Sequence, residues 1–210
     1  MARDLDAGYN RPMAGKFLEL AFTPSVHAAQ EKYFGKARQI PPQPEADALT
    51  EDEVQFIQSR DSFYLATVSE TGWPYVQHRG GLPGFLRVLG PTQLGFADYK
   101  GNRQMLSTGN LAANDRVCLF LMDYPLHTRL KILGHARVFD ARERTDLVEQ
   151  LAEPEARGVV ERIFLIEVVS YDWNCPQYIT PRYTVAEIEQ AVAPLRARIA
   201  ELEAQLQAKS

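Results

Sequence analysis

The chain has 210 residues and a formal net charge of −4, long enough for one domain with a full core plus appendages. The mildly acidic balance argues against nucleic-acid binding through bulk electrostatics, and no apolar run approaches the length of a membrane span. The two cysteines, Cys118 and Cys175, lie far apart without CxxC spacing or a histidine cluster, which argues against a structural zinc site; no metal is expected.

Residues 1–22 carry few structural signals and read as an arm. The opening MARDLDAGYNRPMAG has no apolar signal-peptide core, so the expectation is a cytoplasmic protein with reduced thiols. Thr23-Pro24 reads as a helix N-cap with Pro at the first turn, and Gly35 as the stop. Ile40 to Ala48 is a Pro-rich, extended linker. Thr50 and Glu53 fit a capping box, with Val54, Phe56 and Ile57 on the apolar side of the following helix.

Strand signals begin at Ser62. SFYLATVS over 62–69 is followed by a turn at Glu70-Thr71-Gly72 and a second strand from Trp73-Pro74 to about Arg79. Gly80 to Gly84 breaks it. Phe85–Leu89 reads as a third strand, Gln93–Asp98 as a fourth. Such close turns predict an antiparallel meander in a barrel or sandwich. Gln104–Ala112 reads as a short helix turning Met105 and Leu111 inward. RVCLFLMD over 116–123 is an apolar, central strand in which Cys118 reads as a small buried residue. Thr128–Asp140 alternates with period 2, with a bulge or bend at Gly134. Glu143–Ala152 fits a helix and Val159–Ser170 a long strand. The class is α+β; without βαβ alternation or G-x-G-x-x-G, a Rossmann fold is disfavoured.

The tail differs. Val185, Ile188, Val192, Leu195, Ile199, Leu202 and Leu206 alternate steps of three and four, a heptad pattern with charged flanks. It reads either as a self-associating helix or as an amphipathic helix lying on its own domain. Pro194 is expected to kink or split it. The expected division is an N-terminal extension over 1–49, a core domain over 50–183 and a heptad helix over 184–210.

The chemistry concentrates between Tyr75 and Leu111. Lys100-Gly101-Asn102-Arg103 is a compact cationic turn after an apolar strand and before a helix start. Two side-chain charges and free backbone N–H groups pointing one way suit a phosphate; the plain alternative is an ordinary surface turn. The order of elements from Asp61 to Arg182 resembles the pyridoxamine 5′-phosphate oxidase-like FMN-binding split barrels. The pieces are the FYLATV strand over 63–68, Glu70-Thr71-Gly72 leading to Pro74-Tyr75, Phe96-Ala97-Asp98 with its basic turn, Asn114-Asp115-Arg116-Val117, the long strand with Gly134, and the late Trp173.

The resemblance implies a mainly antiparallel split β-barrel, FMN as cofactor and a homodimer with FMN at the subunit interface. It places Gln77, His78, Arg79 and Gly80 beside the flavin ring, with the family's Arg either displaced or replaced by Gln77. It sets the phosphate on Asn102 and Arg103, with Lys100 as a second charge and Phe96 and Ala97 leading in. It adds Arg129, Trp173, Gln177 and Arg182, the Trp173–Tyr178 segment covering a flavin face. A cation near the ring's N1–O2 edge, Arg79 or Arg129, would favour reduced flavin. Two departures weigh against pyridoxine-phosphate oxidation. Arg182-Tyr183-Thr184 lacks the His of the family's Arg-x-His, and the Gly80–Gly84 segment replaces the substrate-side Lys. The expected function is an FMN-dependent oxidoreductase working by hydride transfer at flavin N5, with no general base assigned. The rivals are a non-catalytic flavin- or haem-binding module, with His27, His78, His127 or His135 as the imidazole, and an interaction protein built on the heptad tail.

Overall fold

A computed structural model describes residues 15–153, 159–173 and 177–208. Helices α1 (Gly15–Ala21), α2 (Pro24–Phe34) and α3 (Glu51–Gln58) precede strands β1 (Ser62–Val68), β2 (Pro74–Gly80), β3 (Arg87–Gly90) and β4 (Gln93–Tyr99). Then come α4 (Leu106–Ala113), β5 (Arg116–Asp123), β6 (Thr128–Asp140), α5 (Thr145–Leu151), β7 (Val160–Trp173) and α6 (Val185–Gln207).

The caps behave as their chemistry requires. The Thr23 side chain accepts from Val26 N–H, and Gly35 closes α2 in the left-handed region at φ 75°, a conformation that costs glycine little. At α3 the Glu53 carboxylate accepts from Thr50 N–H (2.9 Å) and Thr50 Oγ1–H. It also accepts from Trp173 Nε1–H, which ties the helix to the end of β7.

The strands pair antiparallel in the order β2-β1-β5-β6-β7-β4-β3. Four strands separate β2 from β4 in that order. Yet Arg79 on β2 meets Asp98 on β4 at 2.6 Å, and the rings of Phe63 on β1 and Phe96 on β4 lie 5.5 Å apart. The sheet therefore curls until its ends face each other without joining, which makes a split barrel. Phe63, Leu65, Leu119, Leu121, Leu130, Ile132, Phe164 and Ile166 fill it from alternate strand positions. Each such burial is worth about 1.5–3 kcal/mol. A second cluster packs Leu147 and Leu151 of α5 on Ala97 and Ile163. Gly134 marks a register shift against β7, where a Cβ would stand 2.4 Å from the Glu167 carbonyl oxygen.

Several expectations are corrected. β3 begins at Arg87, because Phe85 and Leu86 leave the ladder to fill the core, Phe85 stacking on Phe63 at 5.5 Å. α4 begins at Leu106, because Arg103 and Met105 hold left-handed backbone at φ 59° and 58°. Leu111 is buried as expected, but Met105 faces outward and is 42% exposed. Cys118 is half-buried on the outer side of β5, since its neighbours Val117 and Leu119 take the core positions. α6 runs unbroken through Pro194; on an exposed helix, water can satisfy the one carbonyl that the ring leaves unpaired.

Candidate functional site

The split itself is a cleft of about 190 Å³. β2 lends Tyr75, Gln77 and Arg79, β4 lends Asp98 and Tyr99, and the turn to α4 lends Gly101 to Met105. Leu106, Ser107 and Thr108 from the start of α4 and Arg162 from β7 complete it. β-strand alternation explains the β2 set. Tyr75, Gln77 and Arg79 pair with Thr67, Leu65 and Phe63, all buried and inward-facing, so they too point to the barrel side.

Asp98 anchors the charge arrangement. It is buried, accepting from Arg79 Nη1 at 2.6 Å and from Arg162 Nε at 2.8 Å. The Arg79 guanidinium lies over Phe96 and Phe164, 5.7 and 5.2 Å from the ring centres. Arg103 has no carboxylate partner among the described residues. Arg162 also pairs with Glu161 at 3.1 Å, so three guanidiniums against two carboxylates leave one positive charge in excess. The start of α4 adds donors, because its N-cap, Met105, makes no side-chain cap. The first N–H groups of the helix are thus left for whatever enters the cleft. The Asn102 carboxamide oxygen accepts from Gln104 N–H and shapes the turn. Two non-glycine residues in left-handed backbone, two positions apart, mark a conformation held by its surroundings, a habit of functional loops.

A second cleft, about 620 Å³, lies on the outer face, between Tyr64, Val76, Cys118, Phe120, Tyr124, Arg129, Tyr178 and Arg182. Arg129 sits 5.9 Å from the Phe120 ring, its Nε buried without a hydrogen-bond partner. Arg182 lies 4.9 Å from the Tyr124 ring. Burial pushes the Cys118 thiol upward in pKa, against the opposing pull of Lys131. A third cleft of about 970 Å³ runs between α4 and β6–β7, sharing Arg103, Met105, Thr108 and Arg162 with the split.

The expected cofactor residues therefore separate. Gln77, Arg79, Asn102 and Arg103 meet in the split, while Arg129 and Arg182 meet in the outer cleft. His78 and Gly80 lie on the opposite side of β2 from Gln77, His78 with its ring edge on Tyr64. Lys100 and Gln177 are exposed and line none of these clefts. Phe96 and Ala97 have side chains buried in the two core clusters. Trp173 packs edge-on against Phe56 at 4.8 Å and donates to Glu53, so its indole braces α3. Asn174, Cys175 and Pro176 lie outside the described residues. The sequence reading missed Asp98, Arg162, Tyr75, Ser107 and Thr108 as lining. Nothing local marks Arg162, which reaches Asp98 across 64 positions. His135 is spoken for by Asp115 at 2.9 Å, and among the described residues no three His, Cys, Asp or Glu side chains converge on a metal site.

Topology and cleft together define an α+β protein built on an antiparallel split barrel, with a cationic pocket where the sheet ends meet. The sequence model of pyridoxamine 5′-phosphate oxidase matches residues 49–164, more than half of the chain, and the protein belongs to that family. No curated protein matches the sequence. Similar solved structures include a candidate pyridoxamine 5′-phosphate oxidase from Lactobacillus delbrueckii, 24% identical with a TM-score of 0.46 over 60% of this chain and 94% of that one. HupZ of Group A Streptococcus is 14% identical, with a TM-score of 0.47 over 64% and 99% of the two chains. A Clostridium acetobutylicum protein related to general stress protein 26 of B. subtilis is 14% identical, with a TM-score of 0.46 over 65% and 94%. Among the described residues no helix is long and apolar enough to cross a membrane.

Proposed function

We propose that the protein is an FMN-binding flavoprotein and an FMN-dependent oxidoreductase acting on a small molecule. The observation that carries this reading is the uncapped start of α4 beside Arg103, at the mouth of the split. A phosphate monoester carries close to two negative charges at neutral pH, and the cleft meets it with the Arg103 charge and the uncapped N–H groups of α4. Arg103 and the N–H groups at the start of α4 would hold the phosphate, while Gln77, whose amide accepts from Tyr75 O–H and donates to the His78 carbonyl, keeps its second N–H for a polar edge. Asp98 keeps Arg79 and Arg162 fixed, so the cationic side of the cleft is rigid before anything binds.

The two groups of expected residues also support a homodimer. Gln77 and Arg79 face the barrel side of the sheet, whereas Arg129 shares the outer face with Phe120 and Tyr64. One ligand touching both groups would need the second set from another copy, so FMN at a subunit interface fits better than FMN within one protomer. Bound flavin would supply the hydride chemistry; the chain's own residues bind, orient and set the charge around it. No described side chain stands out as a general base, and the reaction needs none assigned beyond the cofactor. The first test is the absorption spectrum of the purified protein, with FMN added if it is colourless, followed by turnover with a nicotinamide nucleotide. Flavin bands retained through desalting support the reading; a protein that retains no FMN when soaked in it refutes it. Binding without turnover leaves the flavoprotein part and removes the enzyme.

A further inference from the structure

The C-terminal helix α6 is out of place in an isolated chain. It has 23 residues, about 34 Å at 1.5 Å per residue, and none of them is buried. Val185, Ile188, Leu195, Ile199, Leu202 and Leu206 are each 41–72% exposed. With Val192 they form a single stripe whose steps alternate three and four throughout. A helix of this length is marginal alone in water, and an apolar stripe of this kind is stable only when covered.

We infer that α6 pairs with α6 of a second copy as a parallel, in-register, two-stranded coiled coil. A heptad seam is self-complementary, since each a and d side chain packs between the same residues of an identical helix. Val185, Val192, Ile199 and Leu206 take the a positions, and Ile188, Leu195 and Leu202 the d positions. β-branched residues at most a positions with leucine at most d positions favour two parallel strands over higher oligomers. Flanking charge agrees. Arg198 at g lies opposite Glu203 at e of the other copy, a pair that twofold symmetry makes twice. An antiparallel pairing matches a with d and leaves one end of the seam uncovered, whereas the parallel register covers every layer. Pro194 falls at c, off the seam, where its ring meets solvent.

This inference stands on α6 alone, so its failure leaves the flavin reading untouched. The test is Leu202→Cys in the full chain, oxidised mildly and run on a non-reducing gel beside the wild type. Parallel, in-register helices bring the Cβ atoms of the two substituted positions into disulfide reach, roughly 4 Å, so most of the chain runs as a linked dimer. Ala204→Cys, at the outward f position, is the control and stays monomeric on the gel. Leu202→Cys linking no more than wild type overturns the inference, as would an antiparallel pair or a helix folded back on its own barrel. Equal linking at Ala204→Cys overturns it too, because random collision would then explain both.

Discussion

Replacing Arg103 by Ala tests the proposed phosphate grip at its most exposed point. Arg79 and Arg162 are both engaged by Asp98, and Arg162 also by Glu161, so of the cations lining the split Arg103 is the one with no carboxylate partner among the described residues. A hydrogen bond to a charged group contributes about 1.5–3 kcal/mol. Its loss should weaken FMN roughly 10- to 150-fold, at about 1.4 kcal/mol per decade. Alanine keeps the Cβ and hence the cost of the left-handed backbone at φ 59°, so the comparison reads side-chain contact and not relief of strain. The assay is quenching of flavin fluorescence, run in parallel with FMN and with riboflavin, which lacks the phosphate. The variant should lose affinity for FMN and keep that for riboflavin, and the FMN loss should shrink as salt screens the pair. Equal losses for both ligands would place Arg103 at the ring or in the fold. An FMN affinity within about twofold of wild type would refute the phosphate assignment outright.

Lys100→Ala should weaken FMN less than Arg103→Ala in the same titration, since Lys100 does not line the split; an equal or larger loss would restore the two-cation clamp. Asp98→Asn strips the largely buried Arg79 of its carboxylate and leaves Arg162 with Glu161 alone, and should cost about 3 kcal/mol of stability in urea unfolding; a cost under about 1 kcal/mol would mean that water already screens the pair. Gly134→Ala drives a Cβ into the Glu167 carbonyl and should lower stability by about 1–3 kcal/mol or more; an unchanged melting temperature would show that the β6–β7 ladder can shift there. Burial raises the Glu53 pKa, but hydrogen bonds from Thr50, Trp173 and Tyr171 outweigh it and hold the carboxyl below the usual glutamate value. Its stabilisation is therefore complete above that usual value and lost as pH falls through the lowered one. The stability gap between wild type and Glu53→Gln should hold down to the usual glutamate value of 4.5 and narrow as pH falls below it, and a constant gap there would contradict the sign.

What could be read from the sequence was what local rules govern. Thr23, Gly35 and the Thr50–Glu53 box fixed helix ends because a cap involves residues three or four apart. Apolar, β-rich runs marked β1 and β5 and period-2 alternation marked β6, and Gly134 was legible because a glycine inside a strand has few other reasons to be there. The errors fall where tertiary contacts override the local pattern. Phe85 and Leu86 read as strand but serve the core. Gln104 and Met105 read as helix, yet the turn holds Met105 left-handed and delays α4. Trp173 looked like a plate for a ligand because nothing local reveals that Glu53, 120 positions away, takes its N–H. The cleft was half legible for the same reason. Asn102 and Arg103 announce themselves in a basic turn, whereas Asp98 matters only once the curled sheet brings Arg79 and Arg162 to it.

Asp98 also explains how such a cleft can exist without its ligand. Three arginines gathered without a counter-charge would repel one another and resist desolvation, and the two sheet ends would be driven apart. The buried Asp98 between Arg79 and Arg162, helped by Glu161 on Arg162, offsets that cost and ties β2 to β4 and β7 across the split. It does not neutralise the lining, because Arg103 on the turn stays unpaired and the α4 N–H groups stay uncapped. A carboxylate placed nearer the turn would have closed the site by pairing with Arg103. Set back on β4 instead, it stabilises the barrel where the ladder stops and leaves the positive excess where the cleft opens.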